Sequence, residues 1–296
     1  MGLLHLDLRA WAVGGPVRAH VGIHDDDDRW LSEADFAARV AHKHLVLVTH
    51  GFNVRQDGGT VALEGWKSLA ALHEPCVFVG LLWPGDSLFF PVLDYPMEVP
   101  VAMQSARLLG DFLTATAAAA TAISMVSHSL GARVMLETAR HIAPRRIDTL
   151  LVMAAAIEDD SLAREYADVT RTARRVVVVA SRRDQVLEWA FPLGNPVGEL
   201  LTRGHPYFRQ ALGRQGANPV PNEGAALEHW QIPDSPVDWD FGHGDYMPQQ
   251  PLPPGRARIY SAPQKPPPSN ESIKAGDEFV KNDWAAAVIA TQWFAR

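Results

Sequence analysis

Ser129 lies in the run Val126-Ser-His-Ser-Leu-Gly-Ala132, which follows an apolar stretch and is called the serine elbow below. The run has the frame of the G-x-S-x-G turn, in which a strand passes sharply into a helix and presents a nucleophilic serine. Ser127 replaces the first glycine of that frame and is small enough to be tolerated. The motif therefore predicts Ser129 as a nucleophile, with the Leu130 N–H beside it to stabilise an oxyanion.

A second motif, Thr49-His-Gly-Phe-Asn53, directly follows another apolar stretch and is called the His-Gly turn below. Acyl transfer needs a second N–H donor for the oxyanion, and a glycine-containing turn at this point can supply one from Phe52. A tight strand exit, in which His50 bonds only to backbone, is the alternative. The interval between His50 and Ser129 has room for one strand and two helices, which favours the functional interpretation.

Five short apolar runs, separated by helical patterns, must position these motifs. They are His44–Thr49, Cys76–Trp83, Thr121–Val126, Thr149–Ala154 and Arg175–Ala180. Near-continuous apolar strands that alternate with helices predict a parallel sheet covered on both faces. Leu4–Trp11 and Val21–Ile23 predict an antiparallel hairpin before it. We therefore expect an α/β fold with a doubly wound, mostly parallel sheet flanked by helices, and function at the carboxyl ends of its strands.

The residues quoted above resemble those of α/β-hydrolase-fold serine hydrolases. The chain is particularly similar to a little-characterised family that joins a His-Gly-Phe-Asn oxyanion turn to a Ser-His-Ser-Leu-Gly or Gly-His-Ser-Met-Gly elbow. The resemblance runs from about Leu45 to Leu187 and includes Leu82-Trp-Pro-Gly85 and Ala180-Ser-Arg-Arg-Asp184. It implies that nucleophile, acid and histidine follow one another in that order along the chain.

The acid of this set is expected after a late strand. Asp184 follows the run that ends at Ala180, in a Ser-x-x-Asp setting, and this is the usual place for the acid in the fold that the chain resembles. The Glu158-Asp-Asp160 cluster after the preceding strand is the alternative. We predict that Asp184 is the acid.

The base must then be one of the three histidines that follow Asp184, which are His205, His229 and His243. His205 and His229 fit packing positions better, and His229 beside a tryptophan suggests a helix end. His243 lies between two glycines, in a turn that can carry an imidazole over the end of a sheet. We predict that His243 is the base.

These assignments predict a serine hydrolase that cleaves carboxylic esters through an acyl-enzyme. Ser129, His243 and Asp184 form its triad, while the N–H groups of Phe52 and Leu130 form its oxyanion hole. No metal or organic cofactor is required. An amidase, thioesterase or acyltransferase with the same triad is the alternative, as is a non-catalytic binding member of the fold. The phosphate-binding glycine motifs of nucleotide enzymes are missing from the sequence.

Aromatic residues follow the strand after the His-Gly turn, namely Trp83, Phe89, Phe90 and Tyr95. Such residues most often belong to the core, but aromatic clusters at strand ends could also converge into an apolar pocket. We predict that these four bind substrate and that apolar or aryl esters are preferred.

The composition excludes several classes of protein. The chain has 296 residues, with 27 basic and 34 acidic side chains and a formal net charge of −7, which argues against a nucleic-acid or membrane-surface binder. Its single cysteine allows no intrachain disulfide. We expect no signal peptide and no transmembrane segment, and hence a cytoplasmic protein. A small-molecule ester is the partner implied, and the oligomeric state stays open.

Two segments lie outside these motifs. The run from His24 to Asp28 could hold a hard cation, although a solvated acidic turn is commoner. We expect residues 1–296 to form a single domain, in which a proline-rich arm at about 247–272 precedes a docked C-terminal helix at about 276–296.

Overall fold

The structure is a computed structural model that describes residues 3–70, 72, 75–86, 91–145, 147–189, 191, 209–221, 226–232 and 242–247. Its strands are β1 (Leu4–Arg9), β2 (Val17–Asp25), β3 (His44–Thr49), β4 (Cys76–Leu82), β5 (Ala122–His128), β6 (Thr149–Met153), β7 (Arg175–Ser181) and β8 (Ala226–Ile232). Its helices are α1 (Glu33–Val40), α2 (Gln56–Ala70), α3 (Pro91–Thr116), α4 (Gly131–His141) and α5 (Ala167–Thr172), with a short helix over Leu212–Gln215 and helical residues at 185–189. The expected proline-rich arm and C-terminal helix lie outside the described residues, apart from the first residue of the arm.

The eight strands form one sheet in the order β2-β1-β4-β3-β5-β6-β7-β8. Only β1 and β2 pair antiparallel, as the expected hairpin, and each of the other neighbouring pairs is parallel. This topology confirms the predicted α/β class with a mostly parallel sheet. Because these strands are parallel, the carboxyl ends of β3, β5 and β7 lie on the same side of the sheet. The candidate residues follow these ends.

The apolar runs become strands because both of their faces are covered. Every residue of β3 is buried, and so is every residue of β5 and β7 after the first. A strand that is covered on both faces can be apolar along its whole length, and it does not need to alternate. None of the helices in the described residues is long and apolar enough to cross a membrane.

Residues 226–232, where a helix end was expected at His229, form the edge strand β8. This strand pairs in parallel with β7 over seven residues, from Ala226 opposite Arg175 to Ile232 opposite Ser181. An edge strand has a neighbour on one side only, so it tolerates polar residues. Such residues made this strand difficult to recognise from the sequence.

The acidic run after His24 forms a turn that its own side chains stabilise. The buried Asp25 carboxylate accepts hydrogen bonds from the backbone N–H groups of Asp27 and Arg29 and from the Arg29 side chain. Asp25 lies opposite Leu4, the first residue of β1. This turn is therefore beside the amino end of β1, away from Ser129. The arrangement is that of a structural turn.

Candidate active site

Ser129 lies between the end of β5 and the start of α4, in the left-handed backbone conformation, with φ of 54°. A residue with a side chain rarely adopts this conformation unless its surroundings impose it. Here the Ser129 N–H donates to the Met153 carbonyl at 3.0 Å, and the Ala156 N–H donates to the Ser129 carbonyl at 3.1 Å. These two bonds hold the strained residue against the end of β6.

Gly131, two residues after Ser129, is small because another turn packs directly against it. A Cβ on Gly131 would lie 2.4 Å from the His50 carbonyl oxygen, which is closer than any real contact, so this position requires glycine. Ser127 stands where the motif has its first glycine, and it is buried between Thr49 of β3 and Val152 of β6. The serine elbow therefore forms with Ser127 in that place.

His243 connects the serine to a carboxylate. The Ser129 hydroxyl lies 2.8 Å from His243 Nε2, and His243 Nδ1 lies 2.7 Å from Asp184 Oδ2. Because a carboxylate accepts, the proton of the imidazole is on Nδ1, and the bare Nε2 then accepts from the Ser129 hydroxyl. Asp184 is fully buried, whereas 17% of the His243 side chain is exposed. The three residues thus form one chain of hydrogen bonds that reaches solvent at the histidine.

Asp184 is fixed by the helical turn that it begins. It follows β7 directly, and residues 185–189 after it are helical. One of its carboxylate oxygens accepts the Leu187 N–H at 2.9 Å, in the manner of an N-cap, and the other faces His243. With one contact at each oxygen, the Asp184 carboxylate is held in a single orientation.

The His-Gly turn approaches the serine from β3. A Cβ on Gly51 would lie 2.6 Å from Ser129 Cβ and 3.2 Å from its Oγ, so the Gly51 backbone is in contact with the serine. His50 Nδ1 donates to the Gly51 carbonyl at 2.8 Å. In a planar trans peptide the next N–H points the opposite way, so the Phe52 N–H points away from His50.

The family of the chain follows from a comparison over this region. A model of the family described as "Alpha/beta hydrolase of unknown function (DUF900)" matches residues 26–224, which is more than half of the chain. The chain belongs to this family. The matched part of the α/β hydrolase contains Ser129 and Asp184, whereas His243 lies beyond it.

No curated protein matches this α/β hydrolase. Among solved structures, acetyl xylan esterase 1 from Thermoanaerobacterium sp. JW/SL YS485 is similar over 81% of this chain and 82% of that chain, with 11% sequence identity and a TM-score of 0.39.

The other candidate acids of the α/β hydrolase are engaged elsewhere. Glu158, Asp159 and Asp160 each form an ion pair with an arginine, at 3.3, 2.8 and 3.2 Å respectively; these partners are Arg133, Arg209 and Arg164. Of the other candidate bases, His229 lies in β8 and His205 is outside the described residues. Among the described residues, therefore, the predicted Ser129, His243 and Asp184 are the ones brought together.

Two buried histidines flank the site and carry no charge at neutral pH. Burial, together with a smaller contribution from the nearby positive charge of Arg9, lowers the pKa of His50 to about 3. Burial likewise lowers the pKa of His128 to about 3, with a contribution from neighbouring His243. A neutral neighbour does not oppose a positive charge on His243.

The four aromatic residues predicted to bind substrate differ in their placement. Trp83 has no exposed surface, and its indole N–H donates to the His50 carbonyl at 3.0 Å. It therefore supports the His-Gly turn from the core and does not line an open pocket. Phe89 and Phe90 lie outside the described residues, and Tyr95 lies in the first turns of α3.

His128, which precedes the serine, is a site residue that the sequence reasoning missed. Its Nε2 donates to the backbone carbonyl of His243 at 2.6 Å. The elbow motif leaves this position unspecified, and His243 lies 115 residues further along the chain. Nothing in the sequence signals the contact.

The described residues offer one group of side chains that is close enough to share a metal ion, and it lies away from the candidate site. This group is Asp25, Asp26 and Asp27, in the turn that follows β2 beside the amino end of β1. The arrangement at Ser129 can instead activate a hydroxyl group by passing its proton to an imidazole.

Proposed function

We propose that this α/β hydrolase is a serine hydrolase that cleaves carboxylic esters through an acyl-enzyme on Ser129. The observation that carries the proposal is the unbroken chain of hydrogen bonds from the Ser129 hydroxyl through His243 to Asp184, at 2.8 and 2.7 Å. These lengths are within the reach that proton transfer to a general base requires.

Each residue has a defined task in the reaction. Ser129 Oγ attacks the ester carbonyl carbon while His243 Nε2 takes the hydroxyl proton. The C–O bond to the leaving alcohol then breaks, and the same proton passes to the alcohol oxygen. Asp184 holds the imidazole orientation and stabilises its positive charge. Water, deprotonated by His243, then attacks the acyl-enzyme and releases the acid and free Ser129.

The negative charge of the tetrahedral intermediate needs N–H donors beside Ser129. We assign this role to the N–H groups of Leu130 and Phe52. Leu130 is the N-cap of α4, so its N–H is at the positive end of a helix, where the backbone favours negative charge. The bond from His50 Nδ1 to the Gly51 carbonyl fixes the orientation of the peptide that carries the Phe52 N–H.

We propose apolar or aryl esters as substrates, with Phe89, Phe90 and Tyr95 as aromatic contacts. Their position along the chain, from the end of β4 to the first turns of α3, supports this choice, because the parallel strands β4 and β5 end on the same side of the sheet. Initial rates on 4-nitrophenyl butyrate and on the 4-nitrophenyl ester of succinic acid compare acyl groups of equal length. A preference for the uncharged butyryl group is expected, and equal rates on both would refute the pocket assignment.

Hydrolysis by single and double variants tests the mechanism itself. Ser129→Ala and His243→Ala should each lower kcat by several orders of magnitude, and the double variant should lose scarcely more, because the two residues act as a unit. Losses that add independently in the double variant would show that the two side chains do not share one step. Circular dichroism of each variant verifies that the fold is retained.

A further inference from the structure

We propose that His128 is a positioning residue, which fixes the backbone of His243 and thereby the aim of its imidazole at Ser129. This inference rests on the proposed function. It assigns a role in that function to a side chain that touches neither the substrate nor the hydroxyl of Ser129.

The contact defines the protonation of the His128 ring. Its Nε2 lies 2.6 Å from the carbonyl oxygen of His243, and a carbonyl can only accept, so Nε2 carries the proton. His128 is 3% exposed, and burial lowers its pKa to about 3, so the ring is neutral near pH 7. The ring can therefore donate to His243 without placing a second charge beside it.

The other side of the ring faces the His-Gly turn. His128 Nδ1 has no hydrogen-bond partner among the described residues, and it would lie 2.9 Å from a Cβ built on Gly51. The imidazole therefore extends from the Gly51 backbone to the His243 backbone. A single rigid ring thus sets the distance between the turn that carries the Phe52 N–H and the segment that carries the base.

The segment that carries the base depends on such contacts. Residues 242–247 form turns, and glycines flank His243 on both sides. Within the part of the chain that the structure describes, two buried side-chain donors hold carbonyls of this segment: His128 bonds to that of His243, and Trp66 Nε1 bonds to that of Tyr246 at 2.8 Å. The imidazole of His243 lies 4.9 Å from the His128 ring, measured between centroids. Loss of the His128 bond would free the backbone from which the base extends.

Three variants at position 128 separate the hydrogen bond from simple packing. His128→Phe keeps a ring but removes the donor. In His128→Gln the amide nitrogen reaches about as far as Nε2, whereas in His128→Asn it reaches only as far as Nδ1. His141→Phe is the matched control, because His141 Nε2 also bonds to one oxygen, that of Asp111 at 2.7 Å, but on the surface.

Steady-state hydrolysis of 4-nitrophenyl butyrate and the rate of inactivation by a fluorophosphonate are measured for each variant, beside the free energy of unfolding in urea. We expect His128→Phe and His128→Asn to lower kcat by about 10²-fold, the usual consequence of a misplacement of about 1 Å, with KM little changed. His128→Gln should recover most of the activity, and His141→Phe should retain it. The comparison of Gln with Asn remains decisive if His128→Phe does not fold.

The outcomes separate this inference from the proposed function. If His128→Phe and His128→Asn hydrolyse the ester as fast as the parent, His128 has no positioning role, and labelling of Ser129 by the fluorophosphonate in these variants leaves the proposed function standing. If His128→Gln instead loses as much activity as His128→Asn while the two variants unfold with equal free energy, the Nε2 hydrogen bond does not set the activity, the role of His128 is packing and the inference falls. If the parent protein neither hydrolyses the ester nor reacts with the fluorophosphonate, the proposed function fails and takes the inference with it.

Discussion

A methyl group added at Gly51 would test whether the His-Gly turn must contact the nucleophile. The φ of Gly51 is outside the range that favours glycine, so Gly51→Ala imposes no backbone strain and acts through its added volume. The new Cβ would lie 2.6 Å from Ser129 Cβ, 2.9 Å from His128 Nδ1 and 3.2 Å from Ser129 Oγ. These three atoms belong to a packed turn and cannot all move away.

The size of the effect follows from those distances. Two carbon atoms in contact are comfortable at about 3.5 to 4.0 Å, so the turn and the serine must separate by about 1 Å. A misplacement of that size costs about 10²-fold in rate when it disturbs the reacting groups. We therefore expect Gly51→Ala to lower kcat/KM on an aryl ester by about 10²-fold. Overpacking should also lower the free energy of unfolding by about 1–3 kcal/mol.

Gly58→Ala is the matched control for this substitution. Gly58 lies in the first turn of α2, where a new Cβ would meet, among the described residues, only Val54 Cγ1 at 4.0 Å, an ordinary contact. An alanine in a helix is favoured over glycine by up to about 1 kcal/mol, so this variant should keep its activity and gain slightly in stability. Ester hydrolysis and urea unfolding are measured on both variants. Full activity in a folded Gly51→Ala protein would refute the proposed contact between turn and nucleophile.

Three further predictions concern the acid, the buried histidines and the N-terminal hairpin. Asp184→Asn should lower kcat by about 10⁴-fold through the wrong histidine tautomer, whereas Asp160→Asn should change it little; the reverse result in hydrolysis assays would place the acid after β6. Because the pKa values of His50 and His128 fall from 6.5 to about 3 on folding, the unfolded chain binds more protons below pH 6.5. The free energy of unfolding should therefore drop as the pH falls below about 6.5, by up to about 1.4 kcal/mol per pH unit for each histidine, and urea unfolding of His128→Gln should show a shallower drop. Arg9→Met should cost about 3–5 kcal/mol in urea unfolding, since it leaves the carboxylate partner of a fully buried ion pair without its cation, and a loss below about 1 kcal/mol would show that the pair is dispensable.

The positions of the central strands along the chain could be predicted because their sequences are distinctive. His44–Thr49 is a strand with the same bounds in sequence and structure, since a run that is apolar on both faces fits only the interior of a parallel sheet. By contrast, Ala226–Ile232 contains Glu228 and His229, and an edge strand with such residues resembles a helix end. The parallel pairing of β1 with β4 was not predicted either, since nothing in either strand's sequence specifies its neighbour.

The candidate site shows a similar division. Ser129, His243 and Asp184 could be proposed from small-residue turns and chain order, and the structure places the His243 side chain within hydrogen-bond reach of the other two. The position of Trp83 could not be derived, because the direction of a side chain at a strand end depends on the register and packing of the folded sheet. The contact of His128 with the backbone of His243 was equally hidden, since it joins two parts of the chain that only folding brings together.

Covalent labelling tests the central claim most directly. The parent protein is treated with a fluorophosphonate, and the modified peptide is identified by mass spectrometry, beside Ser129→Ala and His243→Ala. A single adduct on Ser129 is expected in the parent, with none in Ser129→Ala and strongly slowed labelling in His243→Ala. An adduct on another residue, or labelling that is undiminished in Ser129→Ala, would contradict the assignment of Ser129 as the nucleophile.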